Sequence, residues 1–507
     1  MTKTYDVIVA GAGPIGLFLA CELKLANVDV LVLERDTNPE SPWKSEPLGI
    51  RGLNTVSVES FYRRGMLDKV TSMERPNFFK KGPGFQFGGH FAGMLLNANK
   101  LEMSRYKYRL QGPALVPNGS SMERVEKALT ERAESIGVDI LRGKGVTEVS
   151  QDDNGVTVEA GGETFHAKWL VGCDGGRSTV RKAAGFDFVG TNPECTGYAF
   201  LADLDHPEKL KPGFQPSVGG MYIIGHWGNM YLLDFDGGAF DRTQEITPEH
   251  LNEVMARVTG TDVKVTKIHQ ASSFTDRSKQ ASTYRKGRVL LAGDAAHIHS
   301  PLGAQGLNLG LGDAVNLGWK LAATVQASKS GEEPKDLSLL DSYEKERYPI
   351  GSWVLEWTRA QISTLKPDMF GIALRRLMSD LLETTDGTNL FIDRIWGLSL
   401  RYDLGDEHPA VGCSAPDFEF HDGTRLGPKL ATGRGLLLDF GSNAELKDLV
   451  GKYESKVDYL STEAKDQLGL KSLLIRPDGV VAWVAEEKPD MDSAKAALER
   501  WFGLGSK

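Results

Sequence analysis

The feature that most limits the fold of this chain is a glycine-rich turn close to its first residue. The apolar run YDVIVA, residues 5–10, predicts a buried strand, and GAGPIG at 11–16 follows it directly. The next residues predict a helix over 14–27 and a second strand over 29–34. A strand, a glycine turn and a helix that lead into another strand form one βαβ unit, so the chain starts with a predicted Rossmann-like α/β fold.

Each glycine of this turn has a physical reason if a dinucleotide binds there, although a tight turn without a ligand is the plain alternative. The first permits the turn, the second lets a pyrophosphate approach the backbone at the helix N-terminus, and the third lets helix and strand pack closely. Glu34 stands 18 residues after Gly16, where its carboxylate can accept hydrogen bonds from ribose hydroxyls. The cofactor contacts predicted in this unit are Gly11, Gly13, Pro14, Ile15, Gly16, Glu34 and Arg35.

Two further glycine motifs favour FAD over NAD as the dinucleotide. An apolar strand precedes DGGRS at 174–178, and another precedes GDAAH at 293–297, which leads into PLGAQGLN at 301–308. Asp294 can accept from the hydroxyls of a sugar chain, and the amides at 303–308 suit an electron-rich ring edge or an anion. A molecule that touches both ends of this region must be long, as FAD is. The contacts predicted here are Asp174, Gly293, Asp294, Pro301, Gly303, Gly306, Leu307 and Asn308.

In their order and approximate spacing, the three motifs resemble those of the single-component flavoprotein aromatic hydroxylases of the para-hydroxybenzoate hydroxylase type, over about residues 4–400. The resemblance implies bound FAD, with Asp294 at the ribityl chain and Arg51 at the phosphates. It also implies that NADPH or NADH docks transiently. Met122 stands where the family often has glutamine, so Arg124 is predicted to supply that polar contact. Ala304 replaces a common glycine, and we expect its methyl group to be tolerated.

The remainder of the chain predicts an α/β protein of three parts. Short strand-like runs fill the middle and predict an inserted β-sheet domain that binds substrate. After a loop near 405, the tail has its own strand and helix pattern and resembles the thioredoxin-like C-terminal domain of phenol, polyketide and rifampicin hydroxylases. The predicted boundaries are 1–184 and 281–404 for a discontinuous FAD-binding domain with a helical segment over 338–404, 185–280 for the substrate domain, and 405–507 for the C-terminal domain.

The tail is expected to support stability or assembly and to take no part in redox chemistry. Thioredoxin chemistry needs a CxxC pair, and the tail has only Cys413. The four cysteines of the chain form no such pair, which indicates a reducing, cytoplasmic location. His297 and His299 lack a third ligand nearby, so we predict no metal site.

Charge and hydropathy exclude two classes of partner. The net charge is −9 and no basic stripe is visible, which argues against nucleic acid. No apolar run reaches the ~18 residues of a membrane-spanning helix, and the first residues do not have the layout of a signal peptide. A homodimer is left open.

The resemblance implies hydroxylation of an aromatic small molecule, phenolic or polyketide-like, with NAD(P)H and O2 through a flavin C4a-hydroperoxide. The substrate is expected between the loop at 301–306 and the inserted domain, with His90, Tyr222 and His226 as candidate contacts. No catalytic base is assigned. The alternatives are a flavin dehydrogenase or oxidase, a Baeyer–Villiger oxygenation on the same fold, and an FAD carrier without turnover.

Overall fold

A computed structural model describes residues 3–71, 82–329 and 336–503. The strands of these residues are, in chain order, β1 (Thr4–Ala10), β2 (Val30–Glu34), β3 (Ile50–Leu53), β4 (Phe87–Phe91), β5 (Met94–Asn97), β6 (Asn118–Ser121), β7 (Asp139–Arg142), β8 (Val146–Gln151), β9 (Val156–Ala160), β10 (Glu163–Gly172), β11 (Phe188–Thr191), β12 (Thr196–Leu204), β13 (Gly213–Ser217), β14 (Gly220–Ile224), β15 (Met230–Asp234), β16 (Val265–Thr275), β17 (Ser278–Ala281), β18 (Arg285–Lys286), β19 (Val289–Leu291), β20 (His297–Ile298), β21 (Gly435–Asp439), β22 (Val457–Ser461), β23 (Ser472–Ile475) and β24 (Val481–Ala485).

The α-helices of the same residues run between and after these strands. They are α1 (Pro14–Leu25), α2 (Thr55–Arg63), α3 (Leu67–Val70), α4 (Met122–Ser135), α5 (Thr179–Ala183), α6 (Pro248–Thr259), α7 (Gly306–Lys329), α8 (Ser338–Leu365), α9 (Met369–Glu383), α10 (Thr385–Trp396), α11 (Leu426–Lys429), α12 (Ala444–Gly451) and α13 (Met491–Phe502).

The central sheet brings the three glycine motifs to one edge. Its strands lie in the order β18-β19-β10-β1-β2-β7, and β19, β10, β1, β2 and β7 are parallel. The last residues of three of these strands, Ala10, Gly172 and Leu291, lie side by side in register, and each is followed within two residues by one of the motifs. In a parallel sheet the carboxyl ends meet at the same edge, so the predicted Rossmann-like α/β fold is confirmed together with the convergence of its motifs.

The inserted segment at 185–280 forms an antiparallel sheet in the order β13-β14-β15-β12-β16, with α6 packed on one face. The segment leaves the nucleotide fold and returns to it at one point, because β11 near its start pairs with β17 near its end. β17 also pairs with β20, beside the GDAAH motif. This pairing fixes the insert next to the predicted cofactor loop.

Alternation along the insert strands divides their side chains between two apolar clusters. Met221 and Leu233 face a cluster that contains Leu302 of the predicted flavin loop. Their neighbours Tyr222 and Leu232 face the opposite side and pack against α6. Only the first of these faces can meet a substrate at the loop.

The C-terminal domain has its own four-stranded sheet and core. Its strands lie in the order β22-β21-β23-β24, of which β21 and β22 are parallel and the others antiparallel. The α/β character of the tail is therefore confirmed, and its thioredoxin-like assignment stays a prediction. Across the described ranges 3–71, 82–329 and 336–503, none of the helices has both the length and the apolar content to cross a bilayer.

Cys413 sits in the C-terminal domain as a lone, mostly covered thiol. Its Sγ lies 3.4 Å from the carbonyl oxygen of Pro409, and burial raises the pKa of the thiol. All four cysteines, each within the described ranges, are free. A thiol that is neither ionised nor paired cannot cycle through an internal disulfide.

We therefore expect Cys413→Ser to leave turnover within about twofold of the unsubstituted enzyme, since the change removes only a weak hydrogen bond. Steady-state NAD(P)H oxidation with and without substrate is the measurement. Loss of turnover in a variant with unchanged far-ultraviolet circular dichroism would show that the thiol does take part in the chemistry.

Candidate cofactor and substrate site

The first glycine turn has the shape that the dinucleotide prediction requires. Gly11 has a φ of +105°, and a Cβ there would lie 2.5 Å from the carbonyl oxygen of Cys173. A Cβ on Gly16 would lie 2.0 Å from the carbonyl oxygen of Gly11. A Cβ on Gly13 would meet nothing within 4 Å. Packing thus explains the outer glycines, whereas the middle one leaves an open face at the N-terminus of α1, which fits a pyrophosphate group.

Two backbone hydrogen bonds hold the Glu34 carboxylate at this turn. Its two carboxylate oxygens accept hydrogen bonds from Ala12 N at 2.7 Å and Asp36 N at 2.8 Å. Each oxygen has a further lone pair, so the carboxylate can still accept from a ribose. Arg35, by contrast, is exposed and pairs with Asp36, which raises the pKa of the guanidinium. No contact of Arg35 with the described residues directs it to the turn.

Ile15 joins the first turn to the GDAAH motif. A Cβ on Gly293, whose φ is +63°, would lie 3.0 Å from Ile15 Cγ1, and a Cβ on Gly310 would lie 2.8 Å from the same atom. The Ile15 side chain therefore packs against two glycines, one before α7 and one inside it. This residue positions the two halves of the site and need not touch the cofactor.

Asp294 lies beside the N-terminus of α7. Its carboxylate is open to solvent although protein encloses it on most sides, and this enclosure raises the pKa of the carboxyl. Asp294 Oδ1 lies 3.9 Å from the place that a Cβ on Gly306 would take, at the N-terminus of α7. Within the described part of the chain, no hydrogen bond to this carboxylate is formed. An acceptor without a partner, at a helix N-terminus, fits the hydroxyls of a ribityl chain.

The loop at 301–308 is built around the side chain of Asn308. Its oxygen accepts from Asn54 N at 2.8 Å, and its nitrogen donates to the carbonyl oxygens of Gly52 and Ala304, both at 2.9 Å. Both amide hydrogens of the side chain are thus used inside the protein. Asn308 can offer a cofactor its backbone N–H or the remaining lone pair of its side-chain oxygen.

Ala304 shows why a glycine is common at this place in the family. Its φ is +53°, in the left-handed region that costs a residue with a Cβ about 1 kcal/mol. That the methyl group is tolerated beside the cofactor stays a prediction.

Arg51 is a half-buried cation without a carboxylate partner among the described residues. Its Nη1 donates to the carbonyl oxygens of Leu48 at 2.9 Å and Ile50 at 2.7 Å, and burial lowers the pKa of the guanidinium. Strand pairing sets Arg51 opposite Ser120, which lies two residues before the start of α4. Arg124 lies in the first turn of α4 and is exposed. A desolvated guanidinium beside a helix N-terminus fits phosphate oxygens.

The DGGRS motif serves mainly to hold a helix. Asp174 Oδ2 accepts from Thr179 N at 2.7 Å and Val180 N at 3.1 Å, at the N-terminus of α5, and Asp174 Oδ1 is buried without a partner.

The two histidines considered as metal ligands have other contacts. His297 contacts Asp313, as described below, and His299 Nδ1 lies 2.7 Å from the carbonyl oxygen of Ser300. In the part of the chain that the structure describes, no group of three or more potential ligands is arranged to hold a metal ion.

Of the three predicted substrate contacts, one lies against an aromatic ring that packs on the cluster of Leu302. His90 lies on β4 beside the ring of Phe214, with 4.3 Å between ring centroids, and Phe214 packs on the cluster that contains Leu302. Gly93 N donates to His90 Nδ1 at 3.3 Å, and burial lowers the pKa of the imidazole to about 4. The ring is therefore neutral near pH 7, with its proton on Nε2.

The other two contacts are placed elsewhere. Tyr222 packs into the far side of the insert and its hydroxyl accepts from Lys211 N, so its selection as a substrate contact is corrected by strand alternation. His226 is exposed in the turn between β14 and β15, against Trp227. Neither side chain belongs to the cluster of Leu302.

Two residues that the sequence analysis missed hold this site together. Asp313, fully buried in α7, accepts from Gly293 N at 3.0 Å and lies 2.7 Å from His297 Nε2. Gln361 in α8 accepts from Ala92 N at 3.0 Å and donates to the carbonyl oxygen of Leu302 at 3.4 Å. The available signal was a polar residue inside an otherwise apolar helical pattern.

Comparison with known proteins agrees with this geometry. Residues 4–358 match the FAD binding domain family, and residues 408–504 match the aromatic-ring hydroxylase C-terminal family. A monooxygenase of Claviceps purpurea is 49% identical over 502 residues, which cover 98% of each chain. The 12-dehydrotetracycline 5-monooxygenase/anhydrotetracycline 6-monooxygenase of Streptomyces rimosus is 38% identical, over 98% of this chain and 99% of its own.

A solved structure extends the likeness to three dimensions. The anhydrotetracycline hydroxylase from Streptomyces rimosus superposes with a TM-score of 0.83 at 35% identity, and 99% of each chain is covered. Both the nucleotide fold and the C-terminal domain are thus shared over their full length. The chain belongs to the FAD-dependent aromatic-ring hydroxylases and is a flavoprotein monooxygenase.

Proposed function

We propose that this enzyme hydroxylates an aromatic small molecule of phenolic or polyketide-like character, with NAD(P)H as reductant and O2 as oxidant. The observation that carries the proposal is the apolar cluster on the cofactor loop. Leu302 of that loop packs in one cluster with side chains from the insert, the β4–β5 hairpin and α8–α10. Its aromatic members are Phe91, Tyr106, Phe214, Phe235, Phe274, Trp357, Phe391 and Trp396. Such a lining suits a flat, apolar ring system.

We place FAD along the edge where the three motifs meet. The residues proposed to hold it are Gly13 and the α1 N-terminus at the pyrophosphate, Glu34 at the ribose, Arg51 and Arg124 at the phosphates, and Asp294 at the ribityl hydroxyls. Bound there, FAD supplies the redox chemistry, which is hydride acceptance from NAD(P)H and transfer of one atom of O2 to the substrate.

The residues around the substrate have two tasks in this proposal. The apolar cluster excludes water from the reacting ring. Exclusion of water keeps the oxidising equivalent for the substrate, because side reactions with solvent would otherwise consume it. His90, neutral and with its proton on Nε2, can donate one hydrogen bond to a hydroxyl or carbonyl oxygen of the substrate. That bond would orient the ring against the loop at 301–306.

A basic group near the DGGRS motif is proposed as the place where NAD(P)H docks. Arg242 lies close enough to Arg177 and Arg277 that their charges, after burial, contribute to lowering the pKa of Arg242. Arg242 donates to the carbonyl oxygen of Ser273, and no acidic side chain pairs with these three cations among the described residues. On a chain of net charge −9, such a group attracts an anionic dinucleotide.

The alternatives differ in product, and an FAD carrier without turnover would form none. A dehydrogenase or oxidase would reduce its flavin without oxygenating the substrate, and the named monooxygenases among the relatives do not favour it. A Baeyer–Villiger outcome would insert the oxygen beside a carbonyl group. The structure of the product distinguishes this outcome from ring hydroxylation.

The test supplies the purified enzyme with FAD, NAD(P)H, 18O2 and a panel of phenols, naphthols and hydroxylated anthraquinones. We expect at least one compound to accelerate NAD(P)H consumption and to gain one 18O atom on a ring carbon, as shown by mass spectrometry and NMR. Turnover of a panel compound without 18O in the product, or equal turnover without O2, would contradict monooxygenation. Insertion of 18O next to a carbonyl would replace hydroxylation by the Baeyer–Villiger alternative.

A further inference from the structure

A fully buried ion cluster joins the C-terminal domain to the nucleotide fold. At its centre is Arg476, which follows β23 and is completely buried. Its two terminal nitrogens donate to Glu346 of α8 at 2.9 and 2.8 Å, and its Nε donates to Asp478 at 3.1 Å. Arg476 therefore carries the contact of the C-terminal domain with α8.

Glu346 transmits this contact to α7. Its Oε2 accepts from Asn316 at 2.6 Å and lies 2.9 Å from Lys320 Nζ, and both residues belong to α7. The cluster of Arg476, Lys320, Glu346 and Asp478 is neutral in sum. Burial lowers the pKa of Lys320 to about 7, so Arg476 is the more dependable counter-ion of Glu346.

The next residue of α8 reaches the cofactor turn. Arg347 Nε donates to Asp313 Oδ1 at 2.8 Å, and Asp313 Oδ2 is the atom that holds Gly293 N and His297 Nε2. One helical step thus separates the ion pair of the C-terminal domain from the ion pair that supports the turn of Asp294. All side chains in this chain of contacts are buried.

We propose that Arg476 is a positioning residue for the FAD site and holds the turn at 293–297 through Glu346, Arg347 and Asp313. This inference rests on the proposed placement of FAD at Asp294. It modifies the expectation that the tail serves assembly alone. The tail supplies no redox group, but its arginine keeps α7 and α8 in the register that the turn requires. Without Arg476 the cluster carries one uncompensated negative charge, which burial makes costly.

The experiment compares two buried substitutions in the full-length protein. Arg476→Met removes the counter-ion and keeps most of the side-chain volume. Asp439→Asn is the matched control, since Asp439 is buried within the same domain and bonds only to residues of that domain, among them Tyr459 and Ser472. Both variants are examined well below their melting temperatures, where far-ultraviolet circular dichroism confirms that they are folded.

We expect Arg476→Met to weaken FAD binding at least about fivefold and to change the visible circular dichroism of the bound flavin. Asp439→Asn should lower the melting temperature and leave both flavin readouts unchanged. Adding Glu346→Gln to Arg476→Met makes the cluster neutral again, so this double variant should recover part of the FAD affinity. If Arg476 only stabilised the C-terminal domain, Arg476→Met and Asp439→Asn would both lower the melting temperature and leave both flavin readouts unchanged.

The proposal is overturned if Arg476→Met binds FAD with the affinity and spectrum of the unsubstituted enzyme. Should Arg476→Met fail to fold, Arg476→Lys serves in its place, because it keeps the charge but lacks the planar fork that forms two parallel hydrogen bonds to Glu346. Unchanged FAD binding by that variant is equally decisive. The titration of the unsubstituted enzyme separates this result from the proposed function, since absence of FAD binding there would contradict the FAD site itself.

Discussion

Gly13→Val is expected to abolish stable FAD binding while the protein still folds. The new Cβ meets no protein atom within 4 Å, and Gly13 has a φ of −74° and a ψ of 177°, which valine adopts without strain. The side chain would project into the space where the pyrophosphate approaches the N-terminus of α1. We expect FAD affinity to fall more than about 100-fold, equal to roughly 3 kcal/mol.

Fluorescence titration of apo-protein with FAD measures this change, and thermal melting shows whether FAD still stabilises the variant. Gly451→Val is the control, because a Cβ on Gly451 also meets nothing within 4 Å and this residue ends α12 in the C-terminal domain. The control should bind FAD normally. If Gly13→Val retains full FAD occupancy, the pyrophosphate does not lie at residues 11–16.

Asp294→Ala is expected to weaken FAD binding roughly 5- to 150-fold, or about 1–3 kcal/mol. The solvent-exposed carboxylate has no hydrogen-bond partner among the described residues, so it is available to the ribityl hydroxyls. Alanine would leave those hydroxyls buried without an acceptor. Isothermal titration calorimetry of apo-protein with FAD gives the affinity directly. Equal affinities of the variant and the unsubstituted protein would remove Asp294 from the site.

The pH dependence of FAD affinity provides an independent check on Asp294. Desolvation by the surrounding protein raises the pKa of this carboxyl in the free protein, so it takes up a proton at a higher pH than a fully solvated aspartate. If FAD hydroxyls bind the ionised form, affinity is full above that pKa and falls as the pH drops through it. Asp294→Asn keeps an acceptor oxygen without a titrating group and should lose this dependence. If the FAD affinity of Asp294→Asn falls with pH in the same way, the pH dependence belongs to another group.

The nucleotide fold was open to prediction because its signals are local. An apolar strand, a glycine turn and a helix lie within about 25 consecutive residues, and buried parallel strands consist of continuous apolar runs. The sequence also predicts a long helix over 307–327 and a final helix over 491–503, and the structure has α7 at Gly306–Lys329 and α13 at Met491–Phe502. The edge where the motifs meet then follows from the parallel order of the strands.

Other features depended on contacts between distant parts of the chain. His90 and Tyr222 are both aromatic side chains on short strands, and only packing shows that His90 contacts Phe214 on one face of the insert whereas Tyr222 packs against α6 on the other. The contact of Arg476 with Glu346 spans 130 residues, and Arg347 reaches Asp313 over 34. The local sequence around Arg476 or Arg347 does not predict which carboxylate each arginine contacts.

The family, the cofactor and the elements that carry the glycine motifs can all be predicted from the residues, because backbone geometry at a phosphate site restricts which residues can stand there. Which side chains share a buried space depends on the folded chain. The tertiary structure separated His90 from Tyr222, explained Ile15 and Asn308 as packing and bridging residues, and joined the C-terminal domain to the turn of Asp294. A buried charged group is stable only when an oppositely charged partner lies close by, and only the folded chain brings the two groups together.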